Sequence, residues 1–147
     1  RIEQFYLAAP QGEERRVRKM VPYTMLEGKV PIAEGPPLHV YTVKRGVMDR
    51  PGVRLETERL ITATEYLLML KERARDRRGI RKMRFSFVHQ CQYFQLDFFE
   101  TPSRLVMAEV ELTEEQQTVM LPDFLGPTED VTGEVEFTNF YMASVRA

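Results

Sequence analysis

Cysteine is nearly absent: Cys91 is the single one among 147 residues. It has no partner for an internal disulfide, and its neighbours His89 and Gln92 do not supply metal-ligand spacing. A disulfide scaffold and a zinc module are therefore excluded, and a reducing, intracellular, cytoplasmic setting is the expectation. Long apolar runs are also missing. The longest strongly apolar stretch, Tyr66 to Leu70, falls far short of the roughly 20 residues that span a bilayer. No transmembrane helix is expected. Nor is there an excess of charge of one sign, because 21 Lys and Arg stand against 22 Asp and Glu for a formal net charge of -1. Specific nucleic-acid binding has no bulk basic field to rest on, so any anion site must be local. The chain opens Arg-Ile-Glu-Gln-Phe, without an initiator Met or a signal region, which reads as a fragment of a longer chain. No internal repeat or low-complexity block occurs, and Gly28-Lys29 is not a P-loop.

What is present is an ordinary globular composition, 43% hydrophobic and 29% charged, enough for one domain over 1–147 with one core. Two stretches have helical logic. Thr62 to Arg75 joins strong helix formers to an apolar stripe, with Thr62 or Thr64 as cap. Thr113 to Met120 opens with capping-box spacing between Thr113 and Gln116 and stops at Pro122. A short helix is expected after Thr138. Elsewhere the period is two, over Arg15–Met20, Leu38–Lys44, Val53–Leu60, Ile80–Val88, Tyr93–Phe99 and Leu105–Leu112. Turns at Asp49, Pro51 and Gly52 and at Thr101-Pro102 make the pairing antiparallel. Pro22 to Pro37, with four prolines and two glycines, is too long for a routine turn.

Side chains at i and i+2 share a strand face. Arg16 with Arg18, Arg54 with Glu56 and Glu58, Lys82 with Arg84, and Glu109 with Glu111 therefore project together, and Lys44 and Asp97 continue the series. The intervening Val17, Val43, Leu55, Met83, Leu96, Phe98 and Val110 are apolar. A solvated outer face is the plain account of such alternation. Against it stands the sorting of charge, with basic pairs concentrated on three strands and acids on others. The alternative is a mostly β, α+β fold, an antiparallel closed or nearly closed barrel or tunnel with a few flanking helices and the ionic face inside. Six cations and five anions would then line a wet bore with a net charge of +1. Guanidinium and ammonium groups suit phosphate oxygens, and paired carboxylates suit a hard divalent ion, Mg2+ or Mn2+.

The strand series resembles the CYTH domain, or triphosphate tunnel metalloenzyme fold. The resemblance rests on Gln4-Phe5-Tyr6-Leu7 with Arg15-Arg16-Val17-Arg18, Tyr41-Thr42-Val43-Lys44, Arg54-Leu55-Glu56-Thr57-Glu58 and Ile80-Arg81-Lys82-Met83-Arg84. It continues through Phe94 to Phe99, Leu105 to Leu112, and Val131-Thr132-Gly133 to Asn139. It implies that Arg16, Arg18, Lys44, Arg54, Lys82 and Arg84 bind phosphate, and that Asp97, Glu109 and Glu111 bind metal. Glu56 and Glu58 would orient the basic groups or a catalytic water. The opening strand and the Pro22–Pro37 insertion are similar to the CYTH-like C-terminal domains of eukaryotic translocation-defect proteins. That likeness implies an N-terminal P-loop nucleotide-binding domain in the full chain and an association with membrane trafficking.

The implied function is binding of a nucleotide, a triphosphate-containing small molecule or a phosphoinositide headgroup. The alternatives are a metal-dependent triphosphatase and a structural interaction domain. The family's Glu-x-Glu-x-Lys strand is absent, with Glu3 an imperfect substitute, and Gln95 and Glu136 depart from the family pattern. His39, His89 and Cys91 have no catalytic neighbours and read as structural or surface groups. Phe85, Phe87, Phe94, Phe98, Phe99, Phe137 and Phe140 read as core beneath the helices. Lys71 to Arg78 reads as a solvated helix end and loop, with peripheral contact to an acidic membrane surface as the alternative.

Overall fold

The computed structural model describes residues 1–24, 28, 30–47, 50–114 and 117–145, with the side chains of 50–53 outside that description. The strands are β1 (Ile2–Leu7), β2 (Glu13–Met20), β3 (Tyr23–Thr24), β4 (Ile32–Ala33), β5 (Leu38–Val47), β6 (Arg50–Ile61), β7 (Ile80–His89), β8 (Gln92–Thr101) and β9 (Leu105–Glu111). Two α-helices, α1 (Ala63–Met69) and α2 (Asn139–Met142), complete the fold together with short 3-10 turns. Seven strands form one antiparallel sheet in the order β6-β5-β2-β1-β7-β8-β9, while β3 and β4 make a small hairpin within the proline-rich connection.

The sheet curls into an open half-barrel. This corrects the expected closed or nearly closed barrel: among the described residues β6 and β9 do not pair, so both remain edges. The physical reason is non-local, since closure needs a ladder between strands some fifty residues apart, which no period-two pattern encodes. All six expected strands form. β1 is a seventh member of the sheet, and it sits at the centre.

Register divides the side chains between two faces. On the convex side Leu7, Val17 and Ile61 are buried beneath Tyr66 of α1, with Phe5, Tyr41, Met69 and Leu70 packed around them. Thr62 anchors this helix through a full capping box: its hydroxyl accepts from Glu65 N–H at 3.1 Å, and the Glu65 carboxylate accepts from Thr62 N–H at 2.8 Å. Losing a cap of this type costs about 1 kcal/mol. Thr62→Ala is therefore expected to lower the unfolding free energy by that amount, read as a lower urea midpoint at an unchanged slope; an unchanged midpoint would mean that packing of Tyr66 alone holds the helix.

On the concave side Tyr6, Ile80, Phe99 and Ala143 form a second buried cluster with Leu105, Met107 and Met142, so α2 stops one end of the trough. Phe140 meets Tyr6 edge-on, and Arg77 lies 4.1 Å over the Phe140 ring.

Two expectations change. Residues 117–120 are not helical, because Gln92 holds that backbone instead: its amide donates to Thr118 C=O at 2.7 Å and its carbonyl accepts from Met120 N–H at 2.8 Å. The capping residue Gln116 lies outside the described residues, as does Asp49 of the expected turn. The aromatic group is only partly core: Phe94 and Phe99 are buried, Phe85 and Phe98 are exposed because α1 covers the other half of the convex face, and Phe140 is exposed on α2, against Tyr6. Among the described residues no helix is long and apolar enough to cross a membrane.

Candidate functional site

The register carries every charged residue of the strand series to the concave face. Across β6, β5 and β2, Glu56 lies opposite Lys44 and Lys44 opposite Glu14, while Glu58 lies opposite Thr42 and Thr42 opposite Arg16. Arg18 is opposite Gln4 of β1. On the other flank Arg84 is opposite Asp97, Gln95 opposite Glu109, and Tyr93 opposite Glu111. Since paired residues in a sheet share a face, Arg16, Arg18, Lys44, Arg54, Glu56, Glu58, Lys82, Arg84, Asp97, Glu109 and Glu111 all look into one trough.

These residues divide into two ionic networks flanking β1. In the first, Lys44 meets Glu56 at 2.9 Å, Arg16 meets Glu56 at 3.3 Å and Glu58 at 3.9 Å, and Arg18 pairs with Glu58. The Thr42 hydroxyl donates to Glu58 at 2.9 Å, and Arg54 closes on Glu14 at 3.1 Å. Glu14 is absent from the sequence reading, although its i−2 spacing from Arg16 on one strand was the available signal. Including it makes the lining six cations and six anions, which corrects the expected net charge of +1 to zero.

The second network surrounds Asp97, which is fully buried. Lys82 Nζ donates to Asp97 Oδ2 at 2.6 Å, while Arg84 Nε and Nη2 donate to Oδ1 and Oδ2, each at 2.6 Å. Arg84 also donates to Gln95 Oε1 and reaches Glu109 at 3.3 Å. Burial pulls the Asp97 carboxyl upward, but the hydrogen bonds from Arg84 and the charge of Lys82 more than offset it and hold the group below its ordinary value. Burial outweighs the attraction of Asp97 at Lys82 and lowers that ammonium. At Glu56 burial is overcome by Lys44 and Arg16, which depress the carboxyl.

Between the networks sits the buried Gln4, whose amide donates to the Tyr6 hydroxyl at 2.9 Å. Beside it, Arg16 and Arg18 project from one strand with side chains only 10% and 14% exposed. Each keeps a buried Nε–H with no hydrogen-bond partner among the described residues. Burial lowers Arg18, the adjacent Arg16 lowers it further, and Arg84 repels it from across the trough.

The expected metal set fares differently. Both Asp97 oxygens are engaged by Lys82 and Arg84, Glu109 leans on Arg84, and Glu111 is exposed opposite Tyr93. Among the described residues no group of three or more His, Cys, Asp or Glu converges as a cation site. With its oxygens so committed, Asp97 does not fit the role of a Mg2+ or Mn2+ ligand. Glu109 and Glu111 are the remaining carboxylates on that flank. His39 lies against Tyr66 on the convex side, and Cys91 is exposed in the β7–β8 turn. Neither touches the trough. No family model, no curated protein and no solved structure matches this chain.

Proposed function

We propose that the concave face binds a phosphorylated anion: a nucleotide, an inorganic or organic triphosphate, or a phosphoinositide headgroup. The observation that carries this reading is the pair Arg16 and Arg18, nearly out of water, side by side on one strand face, each with an unpartnered Nε–H. A buried donor without a partner costs about 1 to 3 kcal/mol, and phosphate oxygens would remove that cost while balancing the like charges. Lys44, Arg54, Lys82 and Arg84 complete the proposed phosphate wall. The resemblance of the strand motifs to the triphosphate tunnel family supports the same ligand class.

Binding is favoured over triphosphate hydrolysis for a specific reason. Glu56, expected with Glu58 to orient the basic groups or a catalytic water, is already committed to Lys44 and Arg16, which hold it below its ordinary range and make it a poor proton acceptor at neutral pH. No step is assigned to a resident metal, because Asp97 is committed to cations. A Mg2+ or Mn2+ ion arriving with ligand phosphates would meet Glu109 and Glu111.

The test is thermal shift with tripolyphosphate, nucleoside triphosphates and inositol trisphosphate, with and without Mg2+ or Mn2+, alongside phosphate release. Stabilisation without turnover is expected. Lys82→Ala or Arg84→Ala should weaken tripolyphosphate by at least about tenfold, the equivalent of one charge-assisted hydrogen bond. Phosphate release would select the triphosphatase instead, and the absence of both effects would leave a structural interaction domain.

A further inference from the structure

An open sheet leaves two strand edges, and in this chain the two are not equivalent. β9 pairs with β8 alone, and among the described residues no backbone or side-chain group outside the sheet hydrogen-bonds to its outer edge. Such a row of free N–H and C=O groups is a template for another strand. β6 is guarded against that outcome. It contains Pro51, which cannot donate to a ladder, and it displays Arg54, Glu56 and Glu58 in alternation. Pairing two copies of β6 about Thr57 would set Glu56 against Glu58 at two places, and pairing about Leu55 would bring Pro51 into the ladder.

β9 reads Leu-Val-Met-Ala-Glu-Val-Glu, with no Pro, Lys or Arg. Its convex side carries Val106, Ala108 and Val110. Val106 is 56% exposed and continues a row with Phe98, which is 41% exposed and meets Phe85 edge-on. Nothing in the described chain covers this row with a helix, whereas the other half of the convex face lies under α1.

We infer that two copies of the chain pair through β9, antiparallel about a two-fold axis at Ala108. In that register Ala108 faces Ala108 of the second copy, Val106 faces Val110, Met107 faces Glu109 and Leu105 faces Glu111. No like charges are opposed directly, apolar residues meet on the convex side, and the interface is self-complementary as two-fold symmetry requires. Neighbouring registers are worse. Centring on Glu109 opposes that carboxylate to itself, and centring on Met107 leaves only residues 105–109 of β9 in the ladder. A shift by one residue turns the ionic face of one copy onto the apolar face of the other. Glu109 is already neutralised locally by Arg84, which removes the remaining diagonal repulsion between the two copies.

The test is the solution mass of the intact chain by light scattering over a concentration series. The parent should rise from 17.3 kDa toward twice that value. Ala108→Lys and Ala108→Glu, at a position exposed in the isolated half-barrel, should each remain at the lower mass with an unchanged circular dichroism spectrum. Mixing those two variants should restore the doubled mass, since lysine then faces glutamate across the axis. Val106→Lys gives the same loss by a second route. Thr57→Lys, on the convex side of the β6 edge, should leave the mass doubled. A parent that stays at 17.3 kDa throughout, a dimer that survives both Ala108→Lys and Val106→Lys, or one that dissociates with Thr57→Lys overturns the inference.

Discussion

Asp97→Asn is expected to destabilise the fold by about 3 to 5 kcal/mol, which for a chain of this size is a fall in Tm of roughly 10 °C. The carboxylate is fully buried, and it is the only ion-pair partner of Lys82 among the described residues, an ammonium whose side chain is 2% exposed. Removing the anion leaves that charge stranded in a low-dielectric site, with part of the Arg84 fork unpartnered as well. The double variant Lys82→Met with Asp97→Asn should recover part of the loss, because it removes the stranded charge rather than only its partner. Urea unfolding of the parent, both single variants and the double variant gives the coupling directly. A parent-like midpoint for Asp97→Asn would show that the pair contributes nothing to holding β7 against β8.

The same pair sets the acid limit. Asp97 titrates below its ordinary value of 3.8 in the folded chain, so the unfolded chain takes up the proton at higher pH than the folded one. Its contribution is therefore complete above the ordinary value and is lost as pH falls through 3.8 toward the folded value. Glu56, lowered from 4.5, acts with the same sign. Asp97→Asn should flatten the stability profile in that acid window and leave its shape near neutrality unchanged.

The trough is legible in the sequence because parity and register carry the same information. Once Arg16 and Arg18 share a face, antiparallel pairing brings Thr42 and then Glu58 to that face, and the same rule brings Arg84 to Asp97. Glu14 obeys this rule too, and its omission is what made the lining look positive. Three features obey no local rule. Openness of the sheet depends on whether β6 and β9 find one another, a decision made by curvature across seven strands. The non-helical path of residues 117–120 is set by the side chain of Gln92 on β8, whose amide and carbonyl take the backbone groups of Thr118 and Met120 that a helix would have used. Burial of the aromatics depends on where α1 lands. It covers Val17 and Ile61 and leaves Phe85 and Phe98 bare, although Val17 and Phe85 each stand between polar neighbours in the same way.

A neutral lining changes what an anion must do on arrival. Every cation of the trough already holds a carboxylate, so phosphate competes with Glu56 and Glu58 for Arg16, Arg18 and Lys44. Charge-removing substitutions on the two sides of one ion pair should therefore shift tripolyphosphate affinity in opposite directions. Arg18→Ala deletes a donor worth roughly 1.5 to 3 kcal/mol toward a charged oxygen and should weaken binding by about 10- to 100-fold. Glu58→Gln deletes the competitor. Its side chain is 45% exposed, so the pair it releases is worth at most about 1 kcal/mol, and affinity should rise on the order of fivefold. A purely structural role for Glu58 predicts the reverse, since loosening the network would disorder Arg18 and weaken the anion. Calorimetric titration of the three proteins with tripolyphosphate, at one ionic strength, separates the two: tighter binding by Glu58→Gln marks the carboxylate as the ligand's rival, and weaker binding by both variants would mean that the ion pair itself shapes the site.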